Sequence, residues 1–391
     1  MRKKNKMAET KAQRLRSVRA ATLADVEGAD TAFINILSRL PVKSILSFRT
    51  VSKHWYDSIR NKFFAKQQLT ISRDKPCFIA CPRVGTMMKL YSMEPGSFRK
   101  RHLITLDPDD RNDQDIMYMV SSFNGLICCI NDNDVSGNDD FYDLQIRIIN
   151  PCTREIFLLP QGTPSFRFEP AIGVAYGTGN NLDYKVFRFF CPGDKERFFE
   201  CEVYHSGTGV WKNIGSVPCI PMYSHFSPFR SSHVFVGGKI YWLSSLDEPG
   251  EILSVDFEGI FSVIQLPIYQ GDHKEEDGIT EGSYLINYQG DLSIVILHPE
   301  DIDIWIWEKN CENYSWEHKC RVKSPFSDDD LVLSISSLKN HISYVTERKW
   351  CYYNMDTRRW KKGKTDYARF MKTSMFPFTE SLLPCNCSGE L

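Results

Sequence analysis

Six times between Tyr91 and Trp360 this chain places a large apolar residue, a polar turn and a second large apolar residue at nearly constant separation. Tyr91 and Phe98, Ile149 and Ile156, Tyr204 and Trp211, and Tyr353 and Trp360 are seven apart; Val255 and Phe261 fall one short, and Trp307 and Trp316 carry two extra residues. The segments between them are turn chemistry, as in Asn150-Pro151-Cys152-Thr153, Ser206-Gly207-Thr208-Gly209 and Asn354-Met355-Asp356-Thr357. Such spacing predicts a hairpin whose two large side chains meet across the strands or pack on the neighbouring unit.

The first members recur at a period of roughly fifty residues, the period of kelch-like propeller blades. A second element recurs with them, a turn leading into an apolar strand: Asn124-Gly125-Leu126-Ile127-Cys128, Gly237-Gly238-Lys239-Ile240-Tyr241-Trp242, Gln289-Gly290-Asp291-Leu292 and Lys339-Asn340-His341-Ile342. One blade cannot bury both of its faces, whereas a closed ring can, and it leaves only short edges. The competing arrangement is an irregular β-sandwich with coincidental aromatic spacing.

Before the strands lies a helical segment, Asp30 to Leu69. Phe33, Ile36, Leu37 and Leu40 repeat at helical intervals, and Pro41 suits the first turn of a new helix. Val42, Ile45 and Leu46 form a second stripe, and Val51, Trp55 and Ile59 a third. Three short helices are expected, with more apolar residues than so small a unit buries alone.

The run Ile36-Leu37-Ser38-Arg39-Leu40-Pro41-Val42-Lys43-Ser44-Ile45-Leu46, followed by Phe48-Arg49-Thr50-Val51-Ser52-Lys53-His54-Trp55, resembles a plant-type F-box. Ser121-Ser122-Phe123-Asn124-Gly125-Leu126-Ile127-Cys128, Asn150-Pro151-Cys152-Thr153-Arg154-Glu155 and Val236-Gly237-Gly238-Lys239-Ile240-Tyr241-Trp242-Leu243 resemble the F-box-associated domain that follows such segments. The expected fold is therefore mainly β: a small three-helix F-box over 30–69, a six-bladed kelch-like β-propeller over 70–368, and a closing strand and tail over 369–391. Phe376 to Leu383 resembles the family's closing segment and is expected to return to the first blade. The resemblance implies a substrate-recognition adaptor of a Skp1-cullin-F-box ubiquitin ligase. Phe33, Ile36, Leu37, Leu40, Pro41, Val42, Ile45, Leu46, Val51 and Trp55 would hold a Skp1-like adaptor, and through it cullin-1 and a RING protein. The propeller would hold a protein substrate that the sequence does not name. Family members usually begin the first helix with Leu-Pro, and Glu27-Gly28-Ala29-Asp30 stands there instead, which removes an apolar contact and can weaken docking. The alternative is a propeller scaffold or small-ligand receptor acting outside a ligase.

The chain has a net charge of −1, so no global field favours nucleic acid or an anionic membrane, and neither partner is expected. No apolar run is long enough to span a bilayer. Residues 1–29 read as a disordered basic tail carrying Arg2, Lys3, Lys4 and Lys6, which can also serve as a nuclear import signal; the expected location is the cytoplasm, the nucleus or both. Thirteen cysteines, an odd number in a long chain, read as buried thiols.

Chemical motifs are weak. Asp132-Asn133-Asp134-Val135-Ser136-Gly137 with Asp143 imitates a calcium loop, but its flanks read as strands and a hairpin accounts for it better. Cys77 with Cys81, Cys385 with Cys387, and Cys311 with His318 and Cys320 lack paired zinc spacing. No catalytic set, metal or cofactor is expected. For substrate capture the candidates are Tyr223, Phe226, Phe229 and Arg230 in a proline-punctuated segment, with Asp328 to Asp330 a lesser one.

Overall fold

In a computed structural model, the described residues are 32–81, 83–84, 87–106, 117–134, 141–167, 170–178, 182–193, 198–221, 233–244, 250–267, 282–310, 313–327, 330–364 and 374–386. The chain divides into two units, Met1–Asp74 and Lys75–Leu391.

The second unit is a six-bladed β-propeller, and two-residue turns set its strand order. Asn124-Gly125, Gly237-Gly238 and Gln289-Gly290 each join the inner strand of a blade to the next. Both residues of each turn have positive φ, from 49° to 103°, the backbone that a tight twisted hairpin requires. Blade two runs Met117–Phe123, Leu126–Asp134, Phe141–Asn150 and Glu155–Leu158, from centre to rim. Blade three runs Ala171–Tyr176, Tyr184–Phe190, Glu200–His205 and Val210–Ser216. Blade four runs Val234–Val236, Lys239–Leu243, Glu251–Asp256 and Phe261–Gln265. Blade five runs Ser283–Tyr288, Asp291–Leu297, Asp301–Asn310 and Asn313–Lys323. Blade six runs Val332–Leu338, His341–Thr346, Lys349–Asn354 and Arg359–Lys364.

Blade one is assembled from both ends of this unit. The C-terminal strand Ser374–Phe378 pairs antiparallel with Cys77–Cys81, from Cys77 opposite Phe378 to Cys81 opposite Ser374; Met87–Met93 and Lys100–Leu106 complete the blade. Ring closure is visible in the core. Among the described residues, each of the six junctions between consecutive blades holds its own apolar cluster, including the junction of six with one, where Val345, Trp350 and Tyr352 meet Phe78, Ala80 and Met375.

The repeated apolar pairs are mostly direct cross-strand partners. Ile149 faces Ile156, Tyr204 faces Trp211, Val255 faces Phe261, Trp307 faces Trp316 and Tyr353 faces Trp360; the wider Trp307–Trp316 spacing arises because its strands stay paired as far as Asn310 opposite Asn313. The rings of Tyr353 and Trp360 lie 4.9 Å apart and those of Trp307 and Trp316 5.1 Å. Tyr91 and Phe98 are the exception. Tyr91 faces His102, and Phe98 packs 5.2 Å from the Tyr352 ring, against Gly363 of blade six, where a Cβ would lie 2.6 Å from it.

Three of the outer-strand tryptophans also latch their blade to the preceding one. Trp211 Nε1 donates to Pro160 O at 2.8 Å, Trp316 Nε1 to Gln265 O at 2.8 Å and Trp360 Nε1 to Lys323 O at 3.1 Å. Phe261 occupies the same place in blade four without a donor. Trp316→Phe therefore keeps the ring and loses one bond; chemical denaturation is expected to show a loss of about 1 kcal/mol.

Among the described residues the first unit has four short helices rather than three: α1 over 32–37, α2 Val42–Phe48, α3 Lys53–Arg60 and α4 Lys62–Ser72. The fourth arises because Asn61 turns the backbone to an extended conformation after α3, and its Oδ1 then accepts from Phe63 N at 2.8 Å to cap a new helix. Ser52 caps α3 in the same manner through Trp55 N. Pro41 sits at the N-cap of α2, one residue earlier than the first turn expected of it, with its carbonyl accepting from Ser44 N and Ile45 N.

Candidate functional site

In the helical unit, the apolar residues singled out from sequence separate into three groups. Leu37, Val42 and Ile45 are at most 4% exposed. Ile36 and Val51 are 65% and 59% exposed, Pro41 is exposed, and Phe33, Leu40, Leu46 and Trp55 are half-buried. Trp55 is the organising ring of this half-buried group, edge-on to Phe33 at 4.7 Å and to Phe48 at 5.2 Å. Phe63 was not among the candidates, yet it is 66% exposed at the start of α4. Together with Phe33, Ile34, Ser58, Asn61 and Phe64 it lines a pocket of about 110 Å³. The apolar surface of this unit thus includes the edge of α4. Glu27 to Asp30, where the Leu-Pro pair is missing, lie outside the described residues.

In the propeller, the short turns lie at one end of the blades, and the second-to-third connections and blade crossovers lie at the other. Tyr223, Phe226, Phe229 and Arg230 belong to the crossover from blade three to blade four and lie outside the described residues, as do Asp328 and Asp329. At this end the described residues expose Met87, Phe141, Phe198 and Leu331, each 38–49%. Phe141 meets Phe166 edge-on at 5.3 Å, and the Arg167 guanidinium lies 4.8 Å from the Phe166 ring. Each is one apolar residue at the very start of a strand or just before it. No spacing rule marks such a residue as exposed, so sequence reasoning had no handle on it.

Asp330 is not available to a partner. It is 8% exposed, its carboxylate accepts from Ser327 N, Ser327 Oγ and Lys349 Nζ, and although burial pushes its pKa up, these contacts hold it below the usual carboxylate range. Asp303 is likewise sequestered: burial opposes its charge, but Arg321 at 2.7 and 2.8 Å and His318 at 3.0 Å keep its pKa lowered. His233 is buried, and burial pushes its pKa down to about 3; its Nε2 accepts from Val174 N, so the ring is neutral. Arg188 and Glu202 form a buried pair at 2.7 Å whose other bonds reach Thr163, in the crossover into blade three. All four arrangements are spent on holding crossovers and strands.

Among the described residues no three His, Cys, Asp or Glu side chains are placed to hold a metal ion. Asp132 to Asp134 are the end of a strand, opposite Leu144, Asp143 and Tyr142, and the rest of the calcium-like motif, 135–140, lies outside the described residues. The described cysteines are free thiols, most of them buried, and burial pushes the pKa of Cys77 and Cys152 up to about 11. Among the described residues no helix is long and apolar enough to cross a membrane.

The fold defines a class: a closed propeller preceded in the chain by a small helical unit with exposed apolar residues. The profile of the F-box associated beta propeller domain matches residues 77–362, and that of the F-box domain matches 30–67. The chain belongs to the F-box proteins with an F-box associated beta-propeller domain. F-box protein At5g07610 of Arabidopsis thaliana is 25% identical over 369 residues, covering 90% of this chain and 81% of the relative. F-box protein At5g49610 of the same plant is 26% identical over 374 residues, covering 91% and 97%.

Proposed function

We propose that this chain is the non-catalytic substrate-recognition adaptor of a Skp1-cullin-F-box ubiquitin ligase, working in the cytoplasm, the nucleus or both. The observation that carries the reading is the exposed set Ile36, Pro41, Val51 and Phe63 in a chain whose β-domain closes its own core. That surface is open to a partner, and its position in an F-box supports a Skp1-like adaptor as that partner, with cullin-1 and the RING protein reached through it. The loop end of the propeller, with Phe141 and Phe198, holds a protein substrate. Catalysis is by proximity: the adaptor raises the local concentration of substrate lysines near a charged conjugating enzyme.

Ile36→Asp and Val51→Asp change exposed residues and leave the fold intact. Each is expected to weaken co-purification with a Skp1-like protein at least about tenfold, the scale of losing an interface anchor, with an unchanged melting temperature. Undiminished capture by the double variant sinks the adaptor reading and favours a scaffold or small-ligand receptor.

A further inference from the structure

The outer strands of the six blades divide the rim into two unlike halves. On blades two, three and four they read EIFL, VWKNIGS and FSVIQ, with Lys212 the one basic residue, and they leave Ile156, Leu158, Val210 and Val263 exposed. On blades five, six and one they read NYSWEHKCRVK, RWKKGK and KRHLITL, with Glu317 the one acid. These three blades are consecutive in the ring. In a chain of net charge −1 this is a concentrated excess of cations on one side.

Contacts between blades make the cations one strip. Trp360 Nε1 and Lys362 Nζ donate to Lys323 O and Pro325 O, at the end of the outer strand of blade five. Lys361 Nζ donates to Gly96 O and lies 5.6 Å from the Phe98 ring of blade one. Burial raises the pKa of Cys320 in blade five, and Arg358 from blade six and Lys319 both lie near enough to pull it the other way. Some charges are neutralised within the molecule: Arg321 by Asp303, Lys323 by Glu300 and Arg101 by Glu380. Lys319, Arg358, Arg359, Lys361 and Lys362 are exposed, and among the described residues none of them has a carboxylate partner.

Lysine on an outer strand also guards a free sheet edge against unwanted pairing. Edge guarding alone would spread lysines round the whole rim, whereas blades two to four expose apolar side chains at the equivalent places. We propose that the strip on blades five, six and one is a docking surface for an extended acidic segment of a partner protein. Among the described residues no strand pairs with the outer edge of Arg359–Lys364, which offers a ladder for strand addition. Lys361 reaches towards blade one and Lys362 towards blade five, so Arg359 and Lys361 share one face, and an added strand whose carboxylates occupy alternate positions presents them all on that face to these two cations. Screening confines the attraction to roughly 8 Å at physiological salt, so a short segment senses the strip and not the near-neutral whole. A nucleic acid gains less, because its charge continues beyond the strip over a chain with no further net positive charge to release counterions.

The proposal does not depend on the adaptor reading, and the two are tested with different probes. The full chain is titrated at low salt into a fluorescein-labelled peptide alternating Glu and Thr, and separately into its Gln counterpart and a single-stranded oligonucleotide of equal length, with anisotropy as the readout. The Glu peptide is expected to bind, and the combined variant Arg359→Glu, Lys361→Glu, Lys362→Glu to weaken it at least about tenfold, with Lys212→Glu unchanged. Melting curves verify that the variants fold, and Arg359→Glu alone supplies the comparison if the combined variant does not. Equal binding of the Gln peptide, an undiminished affinity in the variant, or tighter binding of the oligonucleotide overturns it.

Discussion

A chain ending at residue 373 is expected to lose cooperative unfolding altogether and to be degraded by a protease at concentrations that leave the full chain intact. The missing piece is the inner strand of blade one, and with it go five register pairs against Cys77–Cys81. Met375 leaves the junction of blades six and one, and Phe378 leaves that of one and two. Leu382, Leu383 and Cys385, all buried, go as well. At about 1.5–3 kcal/mol for each large apolar side chain, the loss is on the order of 10 kcal/mol, the size of a whole domain's stability. A truncated chain that still melts in one sharp transition near the full-length temperature would show that blade one closes without this strand.

The segment after that strand makes the effect larger than strand pairing alone suggests. Asn150 Nδ2 donates to Ser381 O at 3.1 Å and Leu383 O at 2.8 Å, and Tyr184 Oη donates to Cys385 O at 2.8 Å. The C-terminal segment therefore runs from blade one across blade two to blade three, and Cys385 sits in the apolar cluster between two and three. The segment passes tightly over Gly125, where a Cβ would lie 2.3 Å from Ser381 Oγ. Truncation loosens three blades at once.

The blade repeat could be read from the sequence because its marker is a direct cross-strand contact, as at Tyr204 and Trp211, and such contacts tie residue spacing to turn length. Phe98 shows the limit. It has the same separation from Tyr91, but residues 94–99 make a wider connection and the ring leaves its own blade for Tyr352, a partner that lies far off in sequence. The helical unit shows another limit. Periodicity marks Ile36 and Leu37 alike as apolar, and only the packing of four helices decides that Leu37 is covered and Ile36 is not. The fourth helix escaped because its buried stripe, Phe64, Ala65, Gln68 and Leu69, contains a polar residue, and its start depends on a single Asn cap. The loop end was the least readable, since Met87, Phe141, Phe198 and Leu331 are single residues set by strand ends on separate blades.

Arg188→Met is expected to cost about 3–5 kcal/mol in chemical denaturation, among the largest effects of any single substitution in the propeller. The Arg188 side chain is fully buried and that of Glu202 is 5% exposed, so removing the guanidinium leaves a carboxylate enclosed without its counter-charge. The carboxylate keeps Thr163 N and Oγ1, each donating at 2.9 Å, but two neutral donors do not replace a cation. The surroundings cannot relax to admit water easily, because Gly162 packs so closely that a Cβ would lie 2.4 Å from Glu202 Oε1 and 2.6 Å from the Arg188 guanidinium. Glu202→Met is expected to be costly for the mirror-image reason. The double variant Arg188→Met, Glu202→Met removes both buried charges and should recover most of the loss, since well-packed apolar replacement of a buried pair is often neutral. A double variant as unstable as the sum of the singles would mean that the two side chains stabilise the crossover through separate contacts and not as a pair.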